Sequence, residues 1–148
     1  METSRLFIRF VLPVRNEDTA RATGFFQVRS LCRRWELSHP VDRRIIRAFD
    51  WFGTNLPVPP VVKQRKDGLC WFRREPTEPR SPDSHEALRR AFQLASYLRS
   101  VGMSVETVQT DDPGRVVYQD RWQVVAVPGS STPTGWVVSH ARSPFVAI

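Results

Sequence analysis

Apolar positions recur with two different periods along this chain, and the changes of period divide it into elements. Residues 5–14 (RLFIRFVLPV) are rich in β-branched and aromatic types and predict a first strand, ended by Pro13. A polar connection, Asn16 to Ala20, follows. The spacing then becomes helical: Phe25, Val28, Cys32 and Trp35 share one face, with Leu31 beside them, while Arg29, Arg33 and Glu36 face away. Ser38 and Pro40 mark a stop and a new start, because proline is tolerated in a first helical turn. The second predicted helix has Val41, Ile45, Phe49 and Phe52 as its apolar stripe and Arg43, Arg44 and Arg47 outside, and Gly53 ends it.

The run LPVPP (56–60) suits neither a regular helix nor a central strand and reads as an extended connector. A charged turn, Lys63 to Gly68, leads into LCWF (69–72), a continuous apolar run of the kind expected for a strand buried on both faces. Residues 75–82 hold three prolines and form a loop. In the third predicted helix, Asp83 and Glu86 make a candidate capping box, Leu88, Ala91, Phe92, Ala95 and Leu98 form the buried stripe, and Gly102 sits where a left-handed residue is wanted. A strand over Met103 to Val108 then completes a βαβ unit whose two strands are expected to run parallel. Asp111-Asp112-Pro113-Gly114 carries the residues of a type II turn. Strands over Arg115 to Gln119 and Trp122 to Val127, joined at Asp120-Arg121, read as an antiparallel hairpin.

These elements predict a single α+β domain over residues 1–128, with a mixed four- to five-stranded sheet, three helices, and a βαβ unit followed by a C-terminal β-hairpin. The run PGSSTPT (128–134) is a flexible linker by composition, and residues 129–148 carry apolar islands at Trp136-Val137-Val138 and Phe145 to Ile148. They are expected to form a flexible tail or an added edge strand.

A length of 148 residues and a hydrophobic fraction of 41% support a packed core without disulfides or metal. The two cysteines, Cys32 and Cys70, lie among apolar residues and read as buried thiols in a reducing compartment. Pro13 and two arginines interrupt the first apolar run, so it reads as neither a signal peptide nor a membrane span. The expected location is the cytoplasm.

Charge changes the picture more than composition does. Residues 1–74 hold 15 Lys and Arg against 7 Asp and Glu, a net +8, whereas residues 75–148 hold 7 against 8, a net −1. The cations are nearly all arginine, the lysines being Lys63 and Lys66 alone. A GC-rich genome produces that bias, and so does selection for bidentate phosphate or carboxylate contacts. The candidate nucleic-acid-binding residues are Arg33, Arg34, Arg43, Arg44, Arg47, Lys63, Arg65, Lys66, Arg73 and Arg74. Arg43 and Arg47 lie one helical turn apart and are expected to point together into solvent. Trp51 lies off the stripe of its helix, available either to stack on a base or anchor a partner, or to pack under LPVPP. Trp136 and Phe145 join Trp51 as candidate partner-binding residues.

Catalytic chemistry has less to stand on. His39, His85 and His140 are scattered without metal spacing, and the chain has no Walker loop, GxGxxG or GxSxG. Asp111 and Asp112 suit a turn, and only with Glu106 do they sketch a divalent-metal site for hydrolysis. No metal ligand set and no cofactor is assigned, and the reading leans away from an enzyme.

Trp71-Phe72, Thr110, Pro113-Gly114, Tyr118, Asp120, Gln123-Val124 and Pro128 form a pattern: a Trp-Phe strand, helix, strand ending in Thr, Pro-Gly turn, and Tyr-x-Asp/Gln-Val hairpin. It resembles a set of small uncharacterised bacterial α+β proteins, more clearly in the middle and C-terminal part of the chain than in the N-terminal part. The resemblance implies a bacterial origin and one compact domain, and brings no activity, ligand or catalytic residue. The function expected is that of a non-enzymatic protein whose Arg-rich N-terminal half contacts an anionic partner, RNA or DNA in a nucleoprotein assembly. The alternative is a protein-interaction subunit or inhibitor that docks through exposed aromatics and the tail. A membrane partner is not expected.

Overall fold

In the computed structural model the described residues are 6–15, 21–24, 26, 43–56, 58–60, 67–75 and 85–135. They contain six strands and two helices: β1 (Phe7–Arg15), β2 (Ala22–Gly24), α1 (Arg43–Asn55), β3 (Leu69–Arg73), α2 (Glu86–Ser100), β4 (Glu106–Thr110), β5 (Arg115–Gln119) and β6 (Gln123–Val127). The class is α+β, but the expected mixed sheet with three helices is not what forms. Two helices are present among the described residues, and the helix read from Phe25, Val28, Cys32 and Trp35 lies, apart from Phe26, outside them.

Every pairing in the six-stranded sheet is antiparallel. The βαβ reading fails at one point. Phe7 of β1 pairs with Arg73 of β3 and also with Thr110 of β4, so β1 lies between the two strands expected to be neighbours. They run in the same direction, each antiparallel to the strand that separates them. Local sequence contains the helix and both strands but says nothing of a strand inserted from 60 residues away. The order β2-β1-β3-β6-β5 then continues to the hairpin edge, and β4 takes the other side of β1. Val11 pairs with Gly24 of β2 and with Glu106 of β4, so β2 and β3 share one edge of β1 in succession.

Pro13 does not end the first strand, which continues to Arg15. The β1–β2 register shifts between Leu12 and Arg15, and such an irregularity accommodates a residue without an N–H. β2 itself was not expected, being three residues long within a polar stretch.

The period of two along β1 builds two apolar layers. Ile8, Phe10 and Leu12 face the helices with Phe72 of β3, packing with Ile45 and Phe52 of α1 and Ala87, Ala91, Leu94, Ala95 and Leu98 of α2. Phe10 meets Phe72 and Phe92 edge-on at centroid distances of 6.1 and 5.0 Å. Phe92 remains 42% exposed, so the stripe turns toward Leu94 rather than toward Phe92 as expected. The other face collects Val11, Ala22, Leu69, Trp71, Val108 and Val124. β3 and β6 are apolar almost throughout because both their faces are covered.

α1 begins at Arg43 and passes through Gly53 to Asn55. α2 starts after His85, whose side chain makes no capping bond, and Asp83 lies outside the described residues. The expected capping box therefore lies partly outside the described residues; within them, the Glu86 carboxylate pairs with Arg89 and, at 2.6 Å, with Arg90. The C-terminal expectation holds. Gly102 has φ 95°, its N–H donates to the Arg99 carbonyl, and the Met103 N–H donates to the Leu98 carbonyl, the paired bonds of a Schellman cap. Residues 129–135 turn at Gly129–Thr132, where each residue donates its amide to the other, and Gly135 lies against Val11, Ala22 and Val108 on the face away from the helices.

Candidate functional site

α1 and α2 pack side by side, and each supplies an arginine to an aromatic ring on the other. The Arg44 guanidinium lies 4.8 Å from the centroid of Tyr97, and that of Arg90 lies 4.5 Å from the centroid of Trp51. The two contacts are seven residues apart along each helix, about two turns, and in opposite order, so the helices run antiparallel. Each such contact at a partly exposed site contributes roughly 0.5–1 kcal/mol.

The outer surface of this pair is basic. α1 carries Arg43, Arg44 and Arg47 against Asp50, and α2 carries Arg89, Arg90 and Arg99 against Glu86, a net +4 for the helical layer. Not all of that charge is available. Glu86 takes Arg89 and Arg90, and Arg99 donates to the Val105 carbonyl at 2.8 Å and to Thr107. Arg43 and Arg47 are exposed, one turn apart, and hold no hydrogen bond or ion pair among the described residues. Two like charges at that spacing repel by about 0.2–0.5 kcal/mol, an unfavourable term that a polyanion relieves.

The remaining candidates separate. Arg73 donates through Nε to the Asp120 carbonyl at 3.0 Å and through Nη2 to Gln119 Oε1, and Arg74 donates to Gln109 Oε1 at 2.6 Å. These two guanidiniums tie β3 to the hairpin turn and to β4, and are not gathered with those of α1. Arg33, Arg34, Lys63, Arg65, Lys66, Trp136 and Phe145 lie outside the described residues. Trp51 is half-buried, edge-on to Phe52 at 5.2 Å and 6.4 Å from Trp122, with Arg90 over its ring. Arg121 in turn lies 5.4 Å from the Trp122 ring centroid. Sequence reasoning missed Arg90, Tyr97, Arg121 and Trp122, because they lie in the half of the chain whose net charge is near zero. The one available signal was the run of paired arginines at Arg89-Arg90 on the helix beside α1.

The acidic residues have structural tasks. Asp111 Oδ1 accepts from the Leu6 amide at 3.1 Å, and Asp112 accepts from the Gly114 amide at 3.1 Å and from Ser131 Oγ at 2.8 Å. Glu106 starts β4, roughly 16 Å of extended chain from Asp111. No three His, Cys, Asp or Glu among the described residues are grouped as a metal ion requires. Asp120 is the centre of the hairpin: Oδ1 accepts from the amides of Trp122 and Gln123 at 2.9 and 3.1 Å, and Oδ2 from Tyr118 OH and Gln123 Nε2 at 3.0 and 2.9 Å. The Tyr-x-Asp and Gln-Val positions are thus one hydrogen-bonded cluster. Gly114, with φ 100°, is required because a Cβ there would stand 2.1 Å from the Val127 carbonyl oxygen.

No helix among the described residues is long and apolar enough to cross a membrane. Comparison with protein-family models, curated proteins and solved structures found nothing that matches this chain.

Proposed function

We propose that this chain is a non-enzymatic binding protein whose helical layer contacts an anionic polymer, RNA or DNA in a nucleoprotein assembly. The observation that carries the reading is the exposed Arg43 and Arg47, unpaired among the described residues and one turn apart on a helical layer of net +4. Guanidiniums so placed attract phosphates at the spacing of a flexible backbone, and their energy comes largely from counterion release. Asp111 holds the amide of Leu6 beside β1, and Asp112 and Asp120 hold turn amides; these bonds commit the carboxylates to the fold and support a binding role over hydrolysis. The inward packing of Trp51 makes it a support for the arginine face rather than an anchor for a protein partner.

Titration of mixed-sequence fluorescent RNA and DNA at low salt tests this. Binding is expected with dissociation constants of about 10⁻⁴–10⁻⁶ M, weakening as salt rises. No binding to either polymer across that range overturns the reading.

A further inference from the structure

The two-residue period of β1 sends Ile8, Phe10 and Leu12 toward the helices and therefore sends Arg9 to the opposite face, with Phe7 and Val11. There Arg9 is 7% exposed. Its Nη2 donates to the Ala22 carbonyl at 3.0 Å, while Nη1 is buried without a hydrogen-bond partner among the described residues. Trp71, 1% exposed, also buries its indole Nε1 without an acceptor among the described residues. The β1–β3 ladder comprises Phe7↔Arg73 and Ile8↔Phe72, and the next step of that register sets Arg9 opposite Trp71. At this point the edge of β1 passes from β3 to β2. The Arg9 guanidinium lies in that notch, close to where a Cβ on Gly24 would stand, and near enough to Arg21 and Cys70 for electrostatic interaction.

A buried guanidinium is normally matched by a carboxylate, and a buried indole N–H by a carbonyl. Here neither match is made, and the charge of Arg21 adds to the local positive potential instead of relieving it. The donors left over are what an oxyanion accepts: one edge of a guanidinium fork, and an N–H from a rigid ring. We propose that Arg9 Nη1 and Trp71 Nε1 form a binding site for a small oxyanion, a carboxylate or a phosphate, in the notch between β1, β2 and β3. The site is on the far side of the sheet from the helical layer, and a polymer backbone does not reach a group so deeply buried. It is therefore independent of polyanion binding.

Thermal melting and the ¹⁵N-indole spectrum are followed while sodium acetate or sodium phosphate is added, with sodium chloride at matched ionic strength as the control. The Trp71 indole signal is assigned by its loss in Trp71→Phe. At least one oxyanion is expected to raise Tm saturably, by several degrees at about 100 times its Kd, and to move the Trp71 signal. Acetate alone identifies a carboxylate ligand, phosphate alone a phosphate, and a response to both assigns the site to the tighter one. Arg9→Met abolishes the response. If that variant does not fold, Arg9→Lys, which keeps the charge but loses the fork, weakens binding roughly tenfold. Arg43→Gln with Arg47→Gln leaves the response unchanged. No saturable effect of either oxyanion on the wild-type chain overturns the proposal, as does a response that Arg9→Met, or failing that Arg9→Lys, leaves at full strength.

Discussion

Asp120 accepts four hydrogen bonds on its two carboxylate oxygens, from the amides of Trp122 and Gln123, the Tyr118 hydroxyl and the Gln123 side chain. Its own carbonyl accepts from Arg73. A charged acceptor in a turn with this many donors is worth more than any one of its bonds, since removing it strands several donors together. Asp120→Ala is expected to cost about 2–4 kcal/mol in urea unfolding, and Tyr118→Phe about 1 kcal/mol. Equal small losses from both would show that the cluster is not the hub described. Cys70 behaves differently. Burial pushes its thiol pKa up, opposed in part by the positive charge of Arg9. Because the folded pKa is raised, the native state holds the thiol proton more tightly than the unfolded chain does. Its contribution to stability is present below about pH 9 and is lost as pH rises beyond it. Alkylation of Cys70 at pH 8, read by peptide mass, should run at least about tenfold slower in the native protein than in urea. Equal rates would mean an accessible thiol. Arg9 has the opposite sign: burial lowers its pKa to about 10, so the cationic form is disfavoured in the fold. An uncompensated buried cation opposes folding at neutral pH, and the anion proposed to bind there would offset that cost.

At the level of elements, local rules were readable and long-range ones were not. The boundaries of β5 and β6 follow from Pro113-Gly114 and Asp120-Arg121, and the end of α2 follows from Gly102, because turn and cap chemistry reside in adjacent residues. The place of β1 between β3 and β4 is set by pairing across 60 or more residues, which periodicity does not encode. The same limit hid the basic face. Arg43 and Arg47 were legible as the outer face of a helix, but the arginines they join come from α2, in the other half of the chain. Contacts between Arg44 and Tyr97 and between Arg90 and Trp51 depend on how the helices cross, which no single helix specifies. A double-mutant cycle of Arg90→Ala and Trp51→Leu should give a coupling of about 0.5–1 kcal/mol in stability. A coupling of zero would remove the reciprocal pairing as a reason for the antiparallel arrangement.

The whole molecule is a six-stranded antiparallel sheet, among the described residues, with two basic helices on one face and an apolar layer on the other. The split of charge along the chain, +8 against −1, is not kept in the helical layer, because α1 and α2 come from different halves and pack side by side with +2 each. That layer is the basis of the proposed polyanion binding, and salt dependence examines it most directly. The slope of log Kobs against log salt for a mixed-sequence single strand should be measured for the wild-type chain and for Arg43→Gln with Arg47→Gln. Each lost phosphate contact reduces the slope by about 0.7, so the double variant is expected to bind more weakly, with a slope shallower by about 1.4. An unchanged affinity and slope, with the fold intact, would contradict binding through this face.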